Sequence, residues 1–484
     1  MRTIMIMMDS LNRHYLNAYG CDWVKTPNID RLAAKAVTFD NHYCGSLPCM
    51  PARRDLMTGR LNFLETPWSP LQPYDECFVT ELREQTGTYT HMITDHYHYW
   101  EKNGVGYNTV FDTWEFLRGQ EGDPWKPMIK DPEVPEYRGK NRRQDWINRE
   151  LMDLEDDEQY PTPQCFRQAV EFVERNHAED NWHLHVEVFD PHEPFVAPAR
   201  YRELYGDTWD GRYHFDWPDY APVDPDAEGD PAIDHIRKCY AATVTRADVW
   251  LGKLLDAMDR HDMWKDTAVV LTTDHGHLLG EHGYWAKNYM FDYKELAHIP
   301  LIAYVPGAAN NGKRVSALTT TIDFAPTFLE LHRASPTGRM RGKSLVHLFE
   351  RDEKHHDAVL YGYFGKDINM TDGAYTYTRQ PVDGSVAHHH TAVPVNVIGN
   401  PDAAASAEIG RFLSYTELPV YRFAVPSRRH HGGDGSDLLF NIEKDPTQQN
   451  PITDDVLKQS YAGRLRELMA EHGAPSSQFP RVGM

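Results

Sequence analysis

Five short apolar runs recur along the chain and restrict the fold more than any other feature: TIMIMMD (3–9), YTHMITD (89–95), HLHVEVFD (183–190), TAVVLTTDH (267–275) and PLIAYVP (300–306). Runs that are apolar on both faces of an extended segment, as TIMIMMD is, suggest strands buried in a parallel or mixed sheet covered by helices. Helical patterns lie between them, such as TPNIDRLAAKAVTF (26–39) and YAATVTRADVWLGKLLDAMDRH (240–261). The expected fold is α/β, a large mixed and mostly parallel sheet sandwiched by helices. Four runs carry an aspartate near their carboxyl end: Asp9, Asp95, Asp190 and Asp274. Ligands of open α/β sheets sit beyond those strand ends, so the four are expected to converge on one site. The alternative is that each caps or breaks the element that follows.

The texture changes past about residue 355, where AVLYGYFG, GAYTYTRQ, RFLSYTELPVYRFAV and DLLFNIEKDP suggest aromatic-rich strands of an antiparallel sheet, interrupted by an Ala/His/Gly-rich stretch at 384–410. At 484 residues the chain is long for one core. The expected division is a larger α/β domain over 1–354 and a smaller C-terminal α+β subdomain over 355–484, packed on the first. Two stretches, 119–162 and 196–232, are expected to be long loops or lids.

A formal net charge of −22 argues against a general nucleic-acid binder. A local cluster of Arg, Lys, His and metal still allows an anionic small substrate. The six cysteines, at 21, 44, 49, 77, 165 and 239, have no tight repeated spacing, as expected of reduced cytoplasmic thiols. The first apolar run spans only Ile4 to Met8 with no small-residue cleavage site, so it is taken as a core strand, with neither secretory signal nor membrane anchor expected.

CGSLPCMPARRDLMTGR (44–60) places a thiol, a proline and an arginine at the start of a predicted helix. A thiol there faces unsatisfied N–H groups and the positive end of the helix dipole, which favour a thiolate or a bound oxyanion. Arg53, one turn on, could hold the same anion through its fork. The plainer alternative is a buried cysteine packed as a small hydrophobe. A cysteine phosphatase is excluded, because its arginine would fall where Asp55 stands.

Cys49-Met50-Pro51-Ala52-Arg53 followed by RDLMTGR resembles the C-x-P-x-R signature of the type I sulfatases, in the alkaline phosphatase superfamily. The resemblance continues in order through DSLNRHYLNAYG, TPNIDRLAAKAVTFDNHY, FDPHEPF, YAATVTRADVWLGKLLDAMD, TTDHGHLLGEHGYWAKNYMFDYKELAHIPLIAY, TTIDFAPTFLEL and DLLFNIEKDPTQQN, nearly the whole chain. It implies that a maturation enzyme converts Cys49 to formylglycine, whose hydrate attacks sulfur or phosphorus in line and leaves a covalent ester that collapses to the aldehyde. It also implies one divalent metal ion held by Asp9, Asp274, His275 and residue 49, with Arg53 orienting residue 49 and with Lys287 and His192 touching the transferred group. Each has a plainer alternative: TTDHGH as a helix-capping turn, Lys287 as a surface lysine, and His192 in an ordinary proline-flanked loop.

Relatives carry a Lys-x-His pattern near TDHYHYW, but this chain lacks the lysine; His96 is assigned a catalytic role there, and Thr94 and His98 substrate contacts. Ser10, a further candidate substrate contact, stands where many sulfatases have a second aspartate, and His275 where many calcium-bound relatives have asparagine. The site is softer and one negative charge poorer than an all-oxygen calcium site, so the ion is expected to be Ca or Mn, with Zn or Fe as further options. A single opening aspartate with an Asp-His pair resembles the phosphonate monoester hydrolase branch, so the expected partner is a small-molecule sulfate or phosphonate ester. Transferases and mutases of the superfamily use Thr or Ser as nucleophile, against the Cys49 pattern. Arg118 in EFLRGQEGDPW is a candidate reader of an anionic substrate, and Trp114, Trp125, Trp146, Trp209 and Trp217, in or near the lids, suit stacking on a substrate ring or plain packing. The chain is compatible with a homo-oligomer.

Overall fold

The computed structural model describes residues 1–395 and 405–484. The chain lays down β1 (Arg2–Met8), β2 (Val37–Tyr43), β3 (Ser46–Leu47), β4 (Tyr89–Thr94), β5 (Thr113–Phe116), β6 (Trp182–Val188), β7 (Thr267–Thr272), a hairpin of β8 (Leu278–Leu279) and β9 (Trp285–Ala286), then β10 (Leu301–Tyr304) and β11 (Arg314–Thr320). An eight-stranded sheet runs in the order β11-β2-β10-β7-β1-β6-β4-β5. Only β10 is antiparallel to its neighbours; the other pairs are parallel. All five apolar runs are in this sheet.

Every residue of β1 is buried, and its side chains alternate between two cores. Ile4, Ile6 and Met8 pack under the helices Pro161–Asn176 and Asp230–Arg260, beside Phe166, Val173, Leu251 and Leu255. Met5 and Met7 pack on the other face beside Met50, Phe78, Phe324 and Phe328, from the helices Cys49–Thr58, Phe78–Thr86 and Phe324–Leu331. The expected helix at 26–39 is shorter: Pro27–Ala33 is helical, and Val37-Thr38-Phe39 opens β2. β-branched and aromatic residues there suit a pleated strand better than a helix turn.

Beyond residue 355 lie β12 (Val359–Tyr363), β13 (Ile368–Thr371), β14 (Tyr375–Arg379), β15 (Val386–Thr391), β16 (Glu408–Gly410), β17 (Val420–Pro426) and β18 (Leu438–Asn441). Five strands form a sheet in the order β18-β14-β13-β12-β3, and β15-β17-β16 form another. The helix Asp455–Glu471 covers the five-stranded sheet with Leu465 and Met469 against Leu360, Met370 and Tyr377. The stretch at 384–410 is not simply an interruption, since β15 and β16 lie in it; its residues 396–404 fall outside the described residues. The edge strand β3 comes from the N-terminal half, with Ser46 and Leu47 pairing Gly362 and Tyr363 in parallel. That sheet is therefore built across the expected division at 354.

The two expected lids carry some regular structure: Arg143–Glu150 is helical in the first and Ala199–Arg202 in the second. Among the described residues no helix is long and apolar enough to cross a membrane.

Candidate active site

β1 and β7 are neighbours, so Asp9, next after β1, and Asp274-His275, just past β7, emerge side by side at the carboxyl edge of the sheet. The helix Cys49–Thr58 starts at the same edge. Pro51 falls in its first turn, where a missing N–H leaves nothing unsatisfied. Asp55 fastens the approach: its carboxylate accepts the Ser46 N–H at 2.6 Å, the Ser46 hydroxyl at 2.8 Å and the Asn62 N–H at 2.7 Å. Residue 45 has to be glycine here, because a Cβ would come 2.4 Å from Asp55 Oδ2.

Cys49 Sγ lies 3.3 Å from His275 Nε2, 3.5 Å from Lys287 Nζ and 4.0 Å from Asp9 Oδ1. Ligand atoms of Asp9, Cys49, Asp274 and His275 all fall within 4.8 Å of one another. Arg53 closes the far side, donating from Nη1 to Asp274 Oδ2 at 2.7 Å, from Nη2 to Asp9 Oδ2 at 2.8 Å, and from Nε to Glu187 on β6. Burial alone would lower the Arg53 pKa, but Glu187, Asp274 and Asp9 raise it well above its ordinary value, so the charge is fixed. Ser10 has a left-handed backbone (φ 62°). That twist lets its N–H reach Asp274 Oδ1 at 3.1 Å while its hydroxyl donates to Asp9 at 2.9 Å and accepts from Lys287 at 3.1 Å.

Three buried carboxylates, Asp9, Asp274 and Glu187, thus face two buried cations, Arg53 and Lys287. Burial, then the charge of Asp274, pushes the Asp9 pKa up. Burial opposes the Asp274 carboxylate too, yet His275, Arg53, Lys287 and the Ser10 N–H hold it well below the usual range. A further cation would relieve this imbalance. His275 Nδ1–H donates to the Gly276 carbonyl at 2.8 Å, so Nε2 presents a lone pair toward Cys49. Burial lowers the His275 pKa to about 4, which keeps that lone pair free at neutral pH. Two carboxylates, a neutral imidazole and residue 49 therefore fit a divalent ion.

His96 is buried 3.8 Å from Asp9 through Nδ1, and neither ring nitrogen has a hydrogen-bond partner. His192 Nδ1 donates to the Glu193 carbonyl at 2.6 Å and lies 3.3 Å from the Glu193 carboxylate. Thr94 supports the turn, its hydroxyl accepting the His96 N–H at 2.9 Å. His98 stacks edge-on to His96 at 5.0 Å but bonds Glu101 at 2.7 Å. Arg118 is held by both oxygens of Asp123, at 2.7 and 2.8 Å, in a separate cleft with Tyr97, Trp100 and Phe116. Of the tryptophans, Trp217 is buried and Trp114 is exposed, while Trp146 and Trp209 line a cavity of about 1110 Å³ between the lids.

The expected convergence of four aspartates holds for two. Asp95 accepts the Phe189 N–H at 2.7 Å and the Thr162 hydroxyl at 2.8 Å. Asp190 pairs with Arg246 at 2.6 Å. They pin the turns that carry His96 and His192 instead of joining the cluster. Sequence reasoning missed Glu187, a lone acid in a buried strand, and Glu193, which lies within the quoted FDPHEPF. It also missed Tyr220 and Lys140, for which no local signal existed: the Tyr220 hydroxyl donates to Glu193, and Lys140 Nζ sits 3.0 Å above the Tyr220 ring.

A helix-covered, mostly parallel sheet with this donor set at its carboxyl edge defines an alkaline phosphatase-like α/β protein. The family model described as Sulfatase matches residues 2–334, and the chain belongs to that family. An N-acetylglucosamine-6-O-sulfatase of Bacteroides thetaiotaomicron is 25% identical over 421 residues, spanning 75% of this chain and 74% of its own. The fold is shared with a phosphonate monoester hydrolase of Agrobacterium radiobacter, at a TM-score of 0.69 and 18% identity over 97% of this chain and 96% of the other. It is shared equally with a protein solved with its substrate D-glucosamine-2-N,6-O-disulfate, at a TM-score of 0.67 and 18% identity over 97% of both chains.

Proposed function

We propose that the protein hydrolyses a small-molecule sulfate ester, with residue 49 serving as formylglycine made from Cys49 by a maturation enzyme. The observation that carries this reading is the position of Cys49, opening a buried helix with His275, Lys287 and Asp9 within 4.0 Å. An unmodified thiol is poorly suited to the task. Burial, then Asp9, pushes the Cys49 pKa well above its ordinary value, so at neutral pH the sulfur is protonated and weakly nucleophilic.

Asp9, Asp274, His275 and residue 49 would hold one divalent ion, which when bound polarises a substrate oxygen and acidifies a hydroxyl on residue 49. Arg53 fixes both carboxylates so that neither swings toward substrate. Burial would lower the Lys287 pKa, but the negative charges of Glu193, Asp9 and Asp274 around it raise it, so it keeps its proton. It is placed to meet charge developing on the transferred oxygens. His96, with two unpartnered nitrogens, is assigned the proton transfers at residue 49. The cytoplasmic location belongs to this proposal and is supported by six unpaired cysteines.

A second reading, hydrolysis of a phosphonate monoester or phosphodiester by the same residues, is favoured by one observation. Ser10 supplies no carboxylate and His275 supplies nitrogen, the pattern by which the sequence resembles the phosphonate monoester hydrolase branch. The test is the mass of the tryptic peptide containing residue 49, measured in a preparation assayed on an aryl sulfate and an aryl phosphonate ester. Activity proportional to the aldehyde fraction supports the proposal, and the rate ratio chooses between the readings. Full activity with unmodified cysteine refutes it.

A further inference from the structure

A second cluster of metal-type donors lies away from Cys49, where the two halves of the chain meet. Asp323 closes the turn Thr321–Asp323 after β11, and His355 and His356 lie just before β12. Donor atoms from these three residues fall within 4.8 Å of one another. His356 Nε2 is 3.0 Å from both Asp323 oxygens, and His355 Nε2 is 3.3 Å from Oδ2. The His355 side chain is 1% exposed, yet its Nε2 has no hydrogen-bond partner. A buried imidazole nitrogen aimed at a carboxylate without bonding it calls for an explanation.

We propose that Asp323, His355 and His356 bind a divalent transition metal, zinc being the best match, as a structural ion distinct from the one at residue 49. Ligand atoms on a tetrahedral zinc ion, at bonds of about 2.0–2.1 Å, stand about 3.3 Å apart, close to the separations here. Two imidazoles and one carboxylate are a donor set suited to zinc and unsuited to calcium. Asp323 is already oriented by the Thr320 N–H at 2.9 Å and the Lys343 N–H at 2.8 Å, as outer partners orient a ligating carboxylate. His355 and His356 line a cleft bordered by Asp352 and Asp357, from which a water would complete the coordination. The ion would clamp the segment leading into β12, and β12 holds β3, the strand two residues ahead of Cys49.

The test uses the untagged full-length chain carrying Asp274→Asn and His275→Ala, which disable the site at residue 49. After loading with Co²⁺ or Zn²⁺ and gel filtration, metal is counted by mass spectrometry and the Co²⁺ form is examined for tetrahedral visible absorption. One retained equivalent with that absorption, lost on adding His355→Ala or His356→Ala, is the expected result. No retained metal in the parent double variant overturns the proposal without requiring any further variant to fold. An equivalent that survives both histidine changes but disappears with Cys239→Ala also overturns it, by assigning the metal to the Asp207, His235 and Cys239 group.

Discussion

Asp95 and Asp190, at the ends of neighbouring strands β4 and β6, share one hydroxyl: Thr162 Oγ1 donates to Asp95 Oδ2 at 2.8 Å and accepts the Asp190 N–H at 3.3 Å. One side chain thereby sets the spacing of the turns bearing His96 and His192. Thr162→Val keeps the shape and removes the bond, so stability should fall by about 1–3 kcal/mol in chemical denaturation. Turnover should fall more than KM rises, and Thr162→Ser should restore both. Unchanged turnover in the valine variant would remove Thr162 from the positioning of these histidines.

Arg53 serves three carboxylates from three different nitrogens. A lysine is a point charge that cannot meet all three. Arg53→Lys should therefore lower turnover by on the order of 10²-fold or more, the scale of losing a preorganised electrostatic contact. Arg53→Met should destabilise by about 3–5 kcal/mol, because Glu187 is left as an uncompensated buried charge. Steady-state turnover of the lysine variant and the unfolding free energy of the methionine variant check the two statements.

Lys140 gives the pH dependence. Burial lowers its pKa to about 8, against the pull of Glu193 and Glu121. Below that pH the group is cationic and attracts an anionic substrate; above it the charge is lost. KM should thus rise as pH passes through about 8, with a smaller change in turnover. Lys140→Met should show the high KM at all pH values and lose that limb of the profile, while a limb identical to that of the wild type would assign it to another group.

Chelation should abolish activity, and Mn²⁺ should restore it better than Ca²⁺, since His275 contributes nitrogen. His275→Asn supplies an amide oxygen and should shift the Ca²⁺ to Mn²⁺ activity ratio toward calcium by on the order of tenfold. Metal titrations of the chelated enzyme measure that ratio directly.

The five buried strands were legible as short, mostly apolar runs spaced by helical patterns, although HLHVEV alternates polar and apolar residues and is nonetheless buried on both faces. Asp9 and Asp274 were legible by the same route, as strand-end carboxylates, and Cys49 and Arg53 through helix-start chemistry and resemblance. Asp95 and Asp190 carried the same signal, but which strand-end acid meets the cluster depends on partners, Thr162 and Arg246, distant in sequence. Arg118 is not free to read a substrate, because Asp123, five residues on in the same stretch, takes both arms of its guanidinium. β3 and β15 were missed for different reasons. β3 has two residues and exists only through pairing with 362–363, while β15 reads VAHHHT, without a clean period-two apolar pattern.

The parallel pairing of Ser46-Leu47 with Gly362-Tyr363 has a consequence for how the protein can be dissected. The C-terminal sheet is the anvil on which residue 49 is mounted, through the peptide that leads into its helix. A chain cut at the boundary suggested by composition would keep Asp9, Asp274, His275 and Lys287, yet leave Ser46 and Leu47 without the neighbour that sets their direction. Residues 1–354 are therefore not expected to be portable on their own, and domain exchange within this architecture has to carry the far strand along with residue 49.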